Sequence, residues 1–133
     1  MKPLTAKITK SLTNGTRLNC ADNSGAKIYE IIGVKDYQGV RKRYPSAGVG
    51  DIAICSVKKG NPQKRKKVVK VLIVRQKKEY RRSDGTRIQF EDNAGVEIDP
   101  EKKIPIGTEI KGAIGREIVE RYPKVAAIAS IVI

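Results

Sequence analysis

The side chains in this 133-residue chain that could do chemistry are mainly cations, and the chemistry of clustered cations is the neutralisation of polyanions. Residues 58–82 hold 12 basic side chains and 1 acidic one. Residues 1–57 hold 9 and 4, and residues 83–133 hold 7 and 9, for a net +14 overall. A solvating coat would intersperse the two signs, so a single positive segment implies a polyanionic partner. Within it, Lys58 and Lys59 run into the turn signal Gly60-Asn61-Pro62, and Lys64, Arg65, Lys66 and Lys67 follow in a row. After the apolar run 68–74 come Arg75, Lys77, Lys78, Arg81 and Arg82 around Tyr80. A second cluster, Arg41, Lys42, Arg43 and Tyr44, lies on an expected loop. Lys and Arg suit phosphates, Asn and Ser can bond phosphate or sugar, and Tyr can stack on an unpaired base. The competing reading, basic edges that only block aggregation, accounts less well for several clusters flanking one apolar strand. For Tyr44 and Tyr80, packing at the core or rim competes evenly with stacking.

Catalysis has little to build on. His is absent, which removes the commonest general base and metal ligand. Asp22, Asp51, Asp84, Glu91 and Asp92 each stand beside a turn residue, where a carboxylate normally bonds its own backbone. Ser24 and Ser83 have no His to activate them, and no Lys-Ser/Thr pair follows Gly48-Val49-Gly50 to cradle a phosphate. Cys20 and Cys55 are too few for zinc and wrongly spaced for a redox pair, so they read as small buried hydrophobes in a reduced, cytoplasmic chain. Neither enzyme activity nor a metal or cofactor is expected. No apolar run approaches membrane-span length, and the first ten residues lack the apolar core of a secretory signal, so no membrane partner is expected.

The elements that must carry these side chains read as strands. There are 17 Ile and 12 Val but 4 Leu, and β-branched residues favour a pleated sheet. Strand-like runs fall at 16–20, 27–34, 51–58 and 68–75, with shorter ones at 86–90, 95–98 and 108–111. The run 51–58 is apolar on both faces, as in a strand buried on two sides. Asp84-Gly85 marks a hairpin, and many short strands with regular turns point to a closed barrel. Residues 1–15 form an N-terminal arm that could pair as an edge strand. The helical spacing Ile118, Val119, Tyr122 and then Val125, Ile128, Ala129, Val132 makes 112–133 a C-terminal helical segment, ambiguous at its β-branched end. The whole, 1–133, is expected to be one domain. Repulsion between adjacent cations is expected to loosen loops 58–67 and 35–44 until a partner neutralises them.

Four separated blocks then carry a family resemblance: LNCADNSGAK at 18–27, YPSAGVGDI at 44–52, VVKVLIVRQKKEYRRSDGTRIQFEDNAGV at 68–96 and PIGTEIKGAIGRE at 105–117. In order and without large gaps, they resemble the universal large-subunit ribosomal protein fourteen family, in its archaeal and eukaryotic-type branch. The resemblance implies a mainly β fold, a small five-stranded β-barrel with an extending β-hairpin and short C-terminal helices. It implies binding to large-subunit rRNA, a place at the interface with small-subunit rRNA, neighbouring ribosomal proteins, and an anti-association factor near the C-terminal region.

The expected function is therefore a structural constituent of the large ribosomal subunit. The alternative is a free-standing single-strand RNA-binding or chaperone barrel, disfavoured because no platform of aromatic side chains is visible. The rRNA-facing candidates are Asn23, Ser24, Lys27, Arg41, Lys42, Arg43, Tyr44, Lys58, Lys59, Lys64, Arg65, Lys66, Lys67, Arg75, Lys77, Lys78, Tyr80, Arg81, Arg82 and Arg87. The acidic-leaning C-terminal third suits protein contact, through Arg116, Glu117, Glu120 and Arg121.

Overall fold

The computed structural model describes residues 3–35, 37, 39 and 44–133. Five strands close on one another: β2 (Arg17–Cys20), β3 (Ala26–Val34), β5 (Ile52–Gly60), β6 (Val68–Arg75) and β9 (Ala94–Asp99). The neighbours β2–β3, β3–β5, β5–β6 and β6–β9 run antiparallel, and β9 returns parallel to β2 to shut the ring. Alternation explains the interior. Leu18 faces Tyr29, Tyr29 faces Val57, Ile31 faces Cys55 and Ala53 faces Val71, and all of these side chains are buried. Closure leaves the barrel few free edges. Gly95 sits where β9 passes closest to β6, since a Cβ there would come within 2.3 Å of Val71 Cγ1.

The sequence pattern and the strands differ in instructive places. On β5, Ala53, Cys55 and Val57 are buried on one face, while on the other Ile52 is buried and Ile54 and Ser56 stay partly exposed, so the second face is covered only at the start of the strand. On β6 it is Val71 to Val74 that are all buried, because β11 (Ile110–Ile114) packs outside that strand. The run expected at 86–90 shortens to β8 (Arg87–Ile88), which pairs with β7 (Tyr80–Arg81) as a small hairpin outside the barrel. β10 (Ile104–Pro105) extends the sheet beside β9.

The arm does pair. β1 (Leu12–Thr13) lies antiparallel to β4 (Ser46–Ala47), and Leu12 is buried. Further out, Lys7 bridges to Arg81, Lys10 Nζ reaches Asp51 at 2.8 Å, and the Thr5 hydroxyl donates to Glu120 at 2.8 Å.

The C-terminal segment is only partly helical. β11 occupies 110–114, α1 is Arg116–Arg121 and α2 is Pro123–Ala127. Pro123, at the first position of α2, separates the two helices. The helical spacing read through Val132 gives way to β12 (Ala129–Val132), which pairs parallel with β11 through Ala113↔Ile131 and Ile114↔Val132. A parallel partner needs a crossover, which the two short helices supply, and β-branched Ile131 and Val132 suit the pleat better than a third helical turn.

Candidate nucleic-acid interface

The β5–β6 turn carries the densest charge, and its backbone is tightly bonded. Asn61 N–H donates to the Gly25 carbonyl, Lys64 and Arg65 N–H groups both donate to Asn61, Lys66 N–H donates to Val57, and Val57 N–H donates back to Lys67, all at 2.9 Å. Gly60 makes this seating possible. Its φ of 153° and the 2.7 Å between a would-be Cβ and the Gly25 carbonyl oxygen leave no room for a side chain. Turn 60–67 thus has a defined hydrogen-bonded shape before any partner arrives, a firmer arrangement than charge repulsion alone suggests. Lys59, Arg65, Lys66 and Lys67 are exposed, and none forms an ion pair with a described carboxylate. Lys27, on the neighbouring strand, joins Lys59, Gly60 and Arg65 around one shallow depression. Lys58 is exposed but lies 3.3 Å from Glu30. Lys64 is turned the other way: it is 27% exposed and pairs with Glu97 at 3.2 Å.

The second basic stretch divides sharply. Lys77, Lys78, Arg81 and Arg87 are exposed. Arg75 is half-buried and fully engaged. Its Nε and Nη2 donate to Asp92, at 2.9 and 3.3 Å, and Nη1 donates to the carbonyls of Lys111 and Ala113. Burial pushes the Asp92 carboxyl up, but hydrogen bonds from Arg75 and Asn19 outweigh it and hold the group below the usual range. Tyr80 is 1% exposed, so the stacking role considered for it fails: its ring is core, and its hydroxyl donates to Glu117 at 2.8 Å. Burial and that carboxylate push the phenol well up. Arg82 also turns inward, with Nε on Glu117 at 2.9 Å and Nη2 on the Ile133 carbonyl. Burial opposes its charge, yet Glu117 raises its pKa further. These inward-facing residues are indistinguishable from the exposed ones by composition; only the sheet pairing sorts them.

The β2–β3 turn is a clamp inside the protein. Asp22 is buried and accepts from the Cys20 thiol at 2.8 Å, the Ser24 hydroxyl at 2.7 Å and the Glu97 N–H at 3.0 Å. Asn23 accepts from the Thr108 N–H and donates to its hydroxyl. Asn23 and Ser24, expected to face RNA, therefore spend these polar atoms inside the protein: Asn23 holds Thr108 and Glu109 to the barrel, and Ser24 braces Asp22 within the turn. Burial, with Asp22 beside it, pushes the Cys20 thiol up to about 11, and burial alone pushes Cys55 to about 12.

Among the aromatic candidates Tyr44 stands out at 82% exposed, while Arg41, Lys42 and Arg43 beside it lie outside the described residues. At the C-terminal end, Glu117 is 2% exposed and bound by Tyr80 and Arg82, so it is a buried structural anion rather than a contact residue. Arg121 donates to the Gly50 carbonyl and approaches Asp51 at 3.7 Å. Arg116 is exposed, and Glu120 is partly exposed beside Thr5. Exposed here as well are Val119, Ile131, Val132 and Ile133, an apolar group that charge counting missed. The rRNA-facing candidates also left out Lys7 and Lys70, both exposed. The signal for Lys70 was its interruption of the apolar run 68–74; Lys7 had none, since its neighbours lie more than seventy residues away.

Among the described residues no group of three or more His, Cys, Asp or Glu could hold a metal ion, and no helix is long and apolar enough to cross a membrane. Barrel and charge together define the class: a small, strongly basic β-barrel of the structural, RNA-associated kind. The family model for ribosomal protein L14p/L23e matches residues 11–133. The large ribosomal subunit protein uL14 of Methanoregula boonei is 52% identical over 133 residues, covering 100% of both chains. The uL14 of Methanococcus vannielii is 54% identical over 132 residues, 99% of each chain. That of Methanothrix thermoacetophila is 50% identical over 128 residues, 96% of each. The chain belongs to the ribosomal protein L14p/L23e family. It is a structural, non-enzymatic constituent of the large ribosomal subunit in the cytoplasmic ribosome, partnered with rRNA and ribosomal proteins.

Proposed function

We propose that the chain, acting as one domain over 1–133, binds large-subunit rRNA through two cationic turns that project from the barrel. The contact residues are Lys27, Lys58, Lys59, Arg65, Lys66, Lys67, Lys77, Lys78, Arg81 and Arg87, with Tyr44 as a stacking ring and Arg41, Lys42 and Arg43 beside it. One observation carries the reading: Lys59, Arg65, Lys66 and Lys67 stand exposed on a turn of fixed backbone, without a described carboxylate to neutralise them. Phosphates would supply the missing counter-charge and release condensed counterions. Lys64, Arg75, Tyr80 and Arg82 hold the shape of the protein, Asn23 ties the first turn to Thr108 and Glu109, and Ser24 braces Asp22 within that turn.

The same reading gives the chain a place at the small-subunit interface. Its C-terminal face would meet neighbouring ribosomal proteins and an anti-association factor. Arg116, Glu120 and the exposed apolar residues Val119, Ile131, Val132 and Ile133 support a protein contact there.

The test is the salt dependence of affinity for deproteinised large-subunit rRNA. Replacing Lys59, Arg65, Lys66 and Lys67 together by Gln removes four cations, which should flatten the slope of log K against log salt by about 3. An unchanged slope would refute the turn as an RNA contact. For the C-terminal face, Val119→Asp with Ile131→Asp should weaken factor binding; equal binding would count against that surface.

A further inference from the structure

The N-terminal arm brings a lysine to the β7–β8 hairpin, and the register there sets three cations in a row. Lys7 forms an antiparallel bridge with Arg81, its N–H donating to the Arg81 carbonyl at 3.0 Å. Arg81 in turn is directly opposite Arg87 across β7–β8. Residues paired in this way put their side chains on the same face of a sheet, and strands lie about 4.8 Å apart, so Lys7, Arg81 and Arg87 line up on one side. Like charges directly opposite each other destabilise a sheet. Among the described residues the one carboxylate paired with this row is Glu79, 3.5 Å from Arg87 and partly exposed, which leaves Lys7 and Arg81 without an ion-pair partner there. The remaining hairpin carboxylate, Asp84, accepts from the Thr86 N–H at the turn. Glu120, beyond the arm, is occupied by Thr5. Thr5, Lys7, Arg81, Arg82 and Ser83 line an open notch at this junction. Arg82 is committed to Glu117, so the notch offers Lys7, Arg81 and the Ser83 hydroxyl.

We infer that this row is an RNA-backbone site completed by the arm: Lys7, Arg81 and Arg87 straddle consecutive phosphates of one strand, with Ser83 donating to a phosphate oxygen. The inference rests on the rRNA-binding reading above and gives the arm a role in it. A tolerated row of like charges implies an anion in the working state, because an isolated sheet has no reason to keep it. Phosphodiesters fit better than an acidic protein surface, since Lys77 and Lys78, exposed just ahead of β7, add more positive charge close by in the chain.

The experiment has two arms. In the first, Lys7→Gln, Arg81→Gln and Arg87→Gln are each titrated with salt against deproteinised large-subunit rRNA, with Lys124→Gln as a distant control. Each of the three should lower the slope by about 0.7–0.9, one phosphate's worth, and the control should leave it unchanged. In the second arm, the free protein is melted at low and high salt. Lys7→Gln should raise Tm by roughly 1–4 °C at low salt and by much less at high salt, because it relieves a repulsion. If Lys7→Gln matches wild type on rRNA while Arg81→Gln does not, the arm is no part of the site and the inference falls. If all three match wild type while the Lys59 to Lys67 replacement flattens the slope, the row is not an RNA site although the general reading stands. If Lys7→Gln binds rRNA normally but enters subunits poorly, the row faces an acidic protein, which also overturns it.

Discussion

Glu117 is the most buried carboxylate among the described residues, and removing it tests whether the hairpin and the C-terminal segment form one unit. Its Oε2 accepts the Tyr80 hydroxyl at 2.8 Å, its Oε1 accepts Arg82 Nε at 2.9 Å, and the pair is nearly dry, with side chains 10% and 3% exposed. Glu117→Ala would orphan a buried phenol, at about 1–3 kcal/mol, and strand a buried guanidinium whose remaining partner is the Ile133 carbonyl. Breaking a buried pair from one side costs about 3–5 kcal/mol in all. That is a large part of the 5–15 kcal/mol that roughly bounds a domain of this size. Glu117→Gln keeps an acceptor for Tyr80 but points an amide donor at Arg82, so it should cost about 2–3 kcal/mol. Urea unfolding at pH 7 reads the loss as a lower midpoint at constant slope. In a double-mutant cycle with Arg82→Met, the coupling should exceed about 1 kcal/mol. A Glu117→Ala loss below about 1 kcal/mol, or additive single losses, would show that the network is not what joins the hairpin to α1.

Three further expectations follow from particular contacts. Lys64→Gln should leave the salt slope on rRNA unchanged, because its ammonium is spent on Glu97, and should cost up to about 1 kcal/mol in urea unfolding. A slope change equal to that of Lys59→Gln would place Lys64 on the RNA instead. The thiols give a pH signature. An unfolded thiol ionises near 9.0, whereas Cys20 and Cys55 do so at about 11 and about 12 when folded. Their contribution is therefore whole below pH 9 and is lost as pH rises toward 11 and 12. Cys55→Ala should accordingly lessen the fall in urea midpoint between pH 9 and 11, and an undiminished fall would contradict the burial argument. Amide exchange of the free protein should show protection at Asn61, Lys64, Arg65 and Lys66, whose N–H groups are all hydrogen-bonded, to Gly25, to Asn61 and to Val57. Full exchange there within the mixing time would mean that repulsion opens the turn after all.

Much of the barrel was legible one residue at a time. Short runs rich in β-branched side chains mark β3, β5 and β6 nearly to their ends, and Asp84-Gly85 marks the β7–β8 turn. The end of the chain resisted because Val125, Ile128 and Val132 satisfy a helical period, while the strand partner that decides the matter, β11, lies about twenty residues away. The site was legible as charge but not as geometry. Lys64 and Lys66 are neighbours of one type, yet one meets Glu97 and the other is exposed. Arg81 and Arg82 likewise part, one to the surface and one to Glu117.

The sequence by itself determined that this is a basic, sheet-rich chain without catalytic histidine, charged chiefly across 58–82, because composition and local period are properties of the chain alone. Only the tertiary structure decided which cations are available. A side chain's direction depends on its strand's register, and its charge is free or spent according to carboxylates brought from distant positions, such as Glu97 for Lys64, Asp92 for Arg75 and Glu117 for Arg82. The same folding carries Lys7, isolated in the sequence, into line with Arg81 and Arg87.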